Sequence, residues 1–294
     1  MATDTLPNKP QSAAPTIALW LVLLAAAGTF AMTMGTRQTM GLFLSALNTS
    51  TALGIGSISL AFAFGQLWWG LTQPFAGAVA DRIGTGRVIL LGVALVALGT
   101  FITPYMTTTA GLIFAIGVLA AGGAGMAGPS VLMAATARLV PANKRGLASG
   151  IVNAGGSFGQ FVMAPIAISL TAAVGWANAM QWLGVLVLLA LPAVWVLKGN
   201  SNALAAQAAA ASGQKALTAR EAIAQALATP SYRYLAAGFL VCGFHVAFLA
   251  THLPGVIAAC GLAPEVGGWA LAVIGLFNIV GSLAMGWAVG RWRM

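Results

Sequence analysis

Arg37 is the one charged residue in a stretch that is otherwise uncharged from position 10 to position 80. It shares a helical spacing with Thr33 and Thr29, which lie one and two turns earlier. A guanidinium offers paired N–H donors that match a carboxylate, and in a low-dielectric interior this pairing favours anions. Arg37 and Thr33 are therefore candidates for binding an anion. The alternative is that Arg37 lies at the edge of a bilayer, about 28 Å along a helix counted from Ala18.

Two histidines are the other titratable side chains within apolar sequence. His245 and His252 are seven residues apart, so they lie on nearly the same face of a helix. Histidine changes charge near neutral pH, and an ionisable group inside a membrane is a functional candidate, so either one could couple a proton. His252 is also a candidate for ligand binding, because its place in the second half corresponds to that of Arg37 in the first. The competing interpretation is a neutral histidine that is hydrogen-bonded within a helix bundle.

Further polar side chains complete the candidate binding set. They interrupt apolar stretches at Gln66, Trp69, Asn153 and Asn278. Amide side chains link neighbouring helices at least as often as they contact a ligand, so each is a weak signal by itself. The sequence shows no nucleophile and base at recognisable spacing, no metal-ligand cluster and no nucleotide loop in a suitable context. We therefore expect no catalytic residue, no metal and no cofactor.

The elements that position these side chains are membrane helices. Of the 294 residues, 60% are hydrophobic and 6% are charged, whereas a soluble domain carries about 25% charged residues. A water-soluble globule is excluded, and uncharged intervals that can each hold spans of about 20 residues predict eight helices. The predicted spans are 17–44, 54–79, 87–105, 109–138, 145–172, 175–197, 232–255 and 265–289. Turn-forming residues predict breaks at 48–51, 104–105, 141–143 and 175.

The spans predict an all-α polytopic membrane protein with two unequal parts. Residues 17–197 form a complete six-helix bundle, and residues 232–294 hold the first two helices of a second bundle. Residues 1–16 are a cytoplasmic tail. Residues 198–231 are an alanine-rich cytoplasmic linker in which Thr218 and Glu221 fit a capping box for a short surface helix.

The basic residues predict the orientation. The formal net charge is +9, and all but one of the 13 Lys and Arg residues fall on one side if the amino terminus is cytoplasmic. Only Arg37 falls near the other side, so the positive-inside rule gives a multi-pass protein of the cytoplasmic (inner) membrane. The excess positive charge is then a signal that orients the protein when it inserts into the lipid bilayer. Nucleic acid is not an expected partner.

The segment between the second and third predicted spans carries a specific pattern. Residues 77–87 read GAVADRIGTGR, which resembles the signature loop of the major facilitator superfamily of secondary transporters. The resemblance implies that Gly77, Asp81, Arg82, Gly84 and Arg87 form a gate that stabilises one state of an alternating-access cycle. Gly77 would let two helices approach closely, and Asp81 would place a negative charge at a helix N-terminus or beside Arg87. A plain turn would not need Asp81.

Other segments resemble one branch of that superfamily. Residues 34–44, 145–150 and 252–254 are similar to the monocarboxylate and oxalate/formate transporters. This resemblance implies a small organic anion as substrate, a monocarboxylate in the first place, moved with a proton or in exchange for another anion. Members of the branch often carry an acid and a base in helix eight. Here only Asn278 is available there, so this chain departs from the acid-and-base pattern of the branch.

The sequence therefore predicts a secondary transporter of small organic anions. The alternatives are a membrane sensor or partner-binding subunit on the same scaffold and, least favoured, an intramembrane enzyme. The superfamily usually has twelve helices, whereas this sequence stops at Met294, in the loop after its eighth predicted helix. We expect the chain to be truncated and to need a second copy or a complementary fragment for transport.

Overall fold

Helices make up all the regular structure of the residues that the computed structural model describes, which are 16–140, 144–198 and 219–291. The α-helices are α1 (Thr16–Thr39), α2 (Leu44–Thr51), α3 (Ile55–Ile83), α4 (Thr85–Ile102), α5 (Thr109–Leu112), α6 (Gly122–Met126), α7 (Pro129–Leu139), α8 (Arg145–Val174), α9 (Trp176–Val187), α10 (Leu191–Leu197), α11 (Ala219–Ala228), α12 (Pro230–Ala259) and α13 (Pro264–Arg291). Short 3₁₀ turns lie at Met40–Phe43, Thr103–Tyr105 and Leu188–Ala190, and a π-helix lies at Ile113–Ala121.

Each predicted span coincides with a helical segment of the described chain. Seven segments are long and apolar enough to cross a membrane. Helix α3 has 29 residues and is not among these seven segments; it carries Gln66 and Gln73 beside two tryptophans. The protein is thus an all-α multi-pass membrane protein, as its composition predicts. We call the end of the bundle at which α1 begins the proximal end, and the opposite end the distal end.

The first span ends later than predicted. It continues from α1 through a 3₁₀ turn and α2 (Leu19–Thr51, 33 residues), and the chain turns at Ala52 and Gly54, whose φ angles are 53° and 82°. The predicted break at residues 48–51 is wrong, because the hydroxyl groups there donate to carbonyls three or four residues earlier and so stay within the helix. Arg37 consequently lies in the middle part of the span.

Small residues let α8 pack closely against two other helices. A Cβ atom on Gly159 would collide with the backbone of Ala31 in α1, and Gly150 faces Gly286 of α13 backbone to backbone. Such close approach is typical of membrane helices, where packing and not hydrophobicity drives association. The regularly spaced small residues of α8 therefore allow it to pack closely against α1 and α13.

Two clusters of buried apolar side chains hold the first six spans together. The cluster near the proximal end contains Val88 and Leu132, and the cluster near the distal end contains Leu47, Ile58 and Met180. Each of these side chains is at most 1% exposed, so the bundle is densely packed through its depth.

Helices α12 and α13 pack unequally on this bundle. Helix α13 lies along α8 from Gly286 at the proximal end to Gly268 at the distal end. Helix α12 touches the bundle with its distal half, where Ala250 and Thr251 are buried, whereas residues 230–246 are exposed. Helix α11 lies in the predicted linker. Thr218 of the predicted capping box, the break at 141–143 and the tail at 1–15 fall outside the described residues.

Candidate functional site

Arg37 is held by two side chains of α3. Its Nη2 donates a hydrogen bond to Oε1 of Gln66, and its Cζ lies 4.6 Å from the centroid of the Trp69 ring. Gln66 and Trp69 are three residues apart, so they project from one face of the helix. The sulfur of Met34, one turn earlier on α1, lies 3.8 Å from Nη1. The guanidinium is therefore fixed between an amide oxygen and an aromatic face, both of which are neutral.

A small cavity of about 30 Å³ lies beside the guanidinium. Its wall is formed by α1, α3, the π-helix and α12. Among the lining residues are Arg37, Gln38, Gln66, Ile116, Ala120 and Thr251. Gly65 of α3 and Gly117 of the π-helix close one side, because a Cβ on Gly65 would lie 3.5 Å from Cα of Gly117. Wide π-helical turns are frequent at functional sites.

The charge of Arg37 is not neutralised by a carboxylate of the described chain. The acidic residues that the structure describes are Asp81, Glu221 and Glu265, and all three lie near helix ends. An uncompensated charge is costly in a low-dielectric interior. The site can therefore bind a small anion, whose charge would balance that of the guanidinium.

The structure does not bring all of the predicted residues to this cavity. Thr33 is fully buried, and its hydroxyl donates to the carbonyl of Thr29 at 3.1 Å, within its own helix. Asn153 and Asn278 are exposed on α8 and α13, away from the cavity wall. Only Arg37, Gln66 and Trp69 of the predicted binding set meet directly.

The two histidines lie in different surroundings. His252 is partly buried and shares with Gln66 and Trp69 a groove of about 810 Å³ between α3 and α12. His245 is exposed, and its Nδ1 lies 2.8 Å from the carbonyl oxygen of Val241 in the same helix. His252 is thus near the candidate site, whereas His245 bonds locally along α12.

Most residues that line the cavity were not predicted from the sequence, and three of them matter most for its chemistry and packing. Gln38, Gly41 and Thr251 all line it. Gln38 had a sequence signal, since it is a polar residue directly after Arg37 in an uncharged stretch. Gly41 lies one helical turn after Arg37. Thr251 had no such signal, because it reaches the cavity only through the packing of α12 on the first span.

The segment that matches the signature pattern lies at the proximal end. Helix α3 ends at Ile83, and Gly84 turns the chain with a φ of 96° so that α4 begins at Thr85. The Thr85 hydroxyl donates to the carbonyl of Leu197 at 3.0 Å. A Cβ on Gly86 would lie 3.2 Å from Cα of Lys198. The segment is therefore docked on the end of α10.

The charged residues of this segment lie at the surface. Asp81, Arg82 and Arg87 are exposed, and Asp81 is in the last turn of α3 beside the start of α4. Gly77 faces open space, since a Cβ atom added there would have no neighbour within 4 Å among the described atoms. The close helix approach expected at Gly77 is not made by the described residues. The gating role of the segment stays a prediction.

Comparison with known proteins identifies the family. The sequence model of the Major Facilitator Superfamily matches residues 12–294. The chain belongs to this superfamily. It is a family of membrane transporters, so the family that the resemblance predicted is confirmed.

Individual relatives of this major facilitator protein are distant. Monocarboxylate transporter 14 of Mus musculus is 28% identical over 176 residues, which cover 58% of this chain and 33% of that protein. The oxalate:formate antiporter of Oxalobacter formigenes is 27% identical over 184 residues, which cover 61% of this chain and 43% of the antiporter. Human monocarboxylate transporter 14 is 27% identical over 168 residues, or 55% and 31% of the two chains. The chain thus spans between about a third and two fifths of these relatives.

Proposed function

We propose that the protein is a secondary transporter of small organic anions, monocarboxylates in the first place, and that Arg37 binds the carboxylate. The observation that carries this proposal is the guanidinium of Arg37 within a span, fixed by Gln66 and Trp69 and facing a cavity without a carboxylate of the described chain. The names of the relatives, a monocarboxylate transporter and an oxalate:formate antiporter, support the same substrate class.

The geometry suits recognition of one carboxylate. Gln66 and Trp69 occupy one edge and one face of the guanidinium, so an anion approaches along the remaining N–H donors. Charge-assisted bonds of this kind are about twice as strong as neutral ones. The cavity lies between the first six-span bundle and α12, so a bound anion contacts both parts that must move in a rocking cycle.

The direct test is binding by Arg37 variants. We expect the purified chain in lipid nanodiscs to bind ¹⁴C-labelled acetate in equilibrium dialysis, and Arg37→Gln to weaken the affinity by at least about tenfold, because a charge-assisted pair is lost. Arg233→Gln removes an exposed cation at the start of α12 and serves as the control with unchanged affinity. Equal affinity of Arg37→Gln and wild type, or no acetate binding at all, would contradict the proposal.

We also propose the setting in which this transport occurs. The protein lies in the cytoplasmic membrane with its amino terminus inside, because described basic residues gather at the proximal end. These are Arg82, Arg87, Lys144, Arg145, Lys198, Arg233 and Arg291. A proton or a second anion provides the driving force, with His252 as the group placed to respond to it.

A further inference from the structure

Two polar side chains on the wall of the Arg37 cavity lack hydrogen-bond partners. Gln38 and Thr251 are each 7% exposed, and both line the cavity. Neither side chain makes a hydrogen bond within the described parts of the chain, although other threonines of the spans, such as Thr29 and Thr103, donate to a carbonyl one turn earlier. A polar group on a cavity wall forms hydrogen bonds with whatever occupies the cavity. These two groups are therefore available to a ligand in the cavity.

Gly41 explains how Thr251 reaches the cavity. A Cβ on Gly41 would collide with the carbonyl oxygen of Ala250 and would lie 3.0 Å from Cα of Thr251. Because Gly41 has no side chain, α12 crosses the first span in direct backbone contact, one helical turn beyond Arg37. Thr251 is thereby held against the residues of the first span that surround the guanidinium.

The chemistry of the pair differs from that of Arg37. An amide and a hydroxyl can each donate and accept a hydrogen bond, and both are neutral. A second carboxylate facing them would be buried without a counter-charge, and an alkyl group would leave both unsatisfied. Gln38 and Thr251 are therefore matched to a polar group without charge.

We propose that Gln38 and Thr251 are specificity-determining residues that hydrogen-bond an uncharged polar group of the same small anion whose carboxylate pairs with Arg37. This inference rests on the proposed function and deepens it. The substrate carries a hydroxyl or carbonyl oxygen next to its carboxylate, because Gln38 directly follows Arg37 in the chain and Thr251 lines the same small cavity. Thr251 belongs to α12, so recognition of this group also joins α12 to the first bundle.

The experiment compares glycolate with acetate, which differ by one hydroxyl group. Equilibrium dialysis of both ¹⁴C-labelled acids against the 294-residue chain in nanodiscs should show at least about fivefold tighter binding of glycolate. Thr251→Val keeps the side-chain shape and removes the hydroxyl, and Gln38→Met removes the amide. Each should abolish the preference for glycolate, because it weakens glycolate binding more than acetate binding.

Two variants serve as controls. Thr251→Ser restores a hydroxyl and should retain the preference for glycolate. Thr100→Val removes another buried hydroxyl that has no hydrogen-bond partner but lies outside the cavity wall, so it should behave as wild type. If Thr251→Val does not yield folded protein, Gln38→Met alone carries the test.

The outcomes separate this inference from the proposed function. Equal binding of the two acids that is still lost in Arg37→Gln overturns the role of Gln38 and Thr251 and leaves the anion site in place. The same holds if Thr251→Val weakens both acids equally, because that result indicates a packing role. Absence of binding by either acid, or binding that persists in Arg37→Gln, overturns both proposals.

Discussion

At the scale of residues, the charge of Arg37 gives the site its chemistry. Its described neighbours are the Gln66 amide, the Trp69 ring and the Met34 sulfur, none of which carries a negative charge. They orient the guanidinium and lower the cost of burying it, but the positive charge remains. A cation that is held but not neutralised attracts an anion, whereas an internal ion pair would have competed with one.

The contribution of the Trp69 ring to acetate affinity should be measurable. Trp69→Leu removes the aromatic face 4.6 Å from the guanidinium, and we expect acetate affinity to fall by about three- to tenfold, since an interaction of about 1 kcal/mol that orients Arg37 is lost. Trp69→Phe keeps an aromatic face and should lose less. Dialysis with labelled acetate measures both variants. Equal losses for Leu and Phe would show that size and not the aromatic face matters at this position.

At the scale of elements, glycine residues determine which helices pack closely against each other. Gly159 brings α8 against α1, and Gly41 brings α12 against the first span. In lipid no hydrophobic force drives such contacts, so van der Waals packing of close backbones has to supply the stability. The π-helix and α3 approach each other in the same way through Gly65 and Gly117.

Substitution of glycine by alanine should therefore act in opposite directions at two helical positions. Gly159→Ala places a methyl group against the backbone of Ala31, and we expect it to lower the free energy of unfolding by about 1–3 kcal/mol. Gly70 has open space around it in α3, so Gly70→Ala should be neutral or stabilising by up to about 1 kcal/mol. Thermal unfolding in detergent, followed by circular dichroism, checks both. A Gly159→Ala protein as stable as wild type would contradict close packing of α1 on α8.

At the scale of the whole molecule, the chain combines a densely packed six-span bundle with two further spans of a second part. Helix α13 follows α8 through the depth of the bundle, while α12 contacts it at the distal half. The Arg37 cavity lies where α12 meets the first span. A ligand at this position bridges the two parts, which is the location expected of a transported substrate in secondary transporters.

The proposed orientation can be checked with the native cysteines. Cys260 is exposed at the distal end of α12, and Cys242 is exposed within the same helix. In a Cys242→Ser variant expressed in bacterial spheroplasts, we expect a membrane-impermeant maleimide to label Cys260 from outside. The matched control is Lys198→Cys in a cysteine-free background, since this position lies at the proximal end and should label only after permeabilisation. The reverse pattern would place the amino terminus outside.

Part of the site was visible in the sequence for a physical reason. Arg37 is conspicuous because charges are costly within a span, and Gln66 and Trp69 because they are polar in apolar surroundings. Thr33 is also polar, yet it does not line the cavity, and its hydroxyl bonds to a carbonyl of its own helix. The hydroxyl groups at 48–51 also bond within their helix, which is why the break predicted there is wrong.

The sequence by itself determined the number and the approximate positions of the spans, because a backbone in lipid must form helices from long uncharged stretches. It also determined that a single cation lies within them. Only the tertiary structure decided which side chains surround that cation. Thr251 is 214 positions away from Arg37 along the chain, and its place on the cavity wall depends on how closely α12 crosses the first span at Gly41. Contacts between distant helices follow from the fit of their surfaces, which no local pattern of residues specifies.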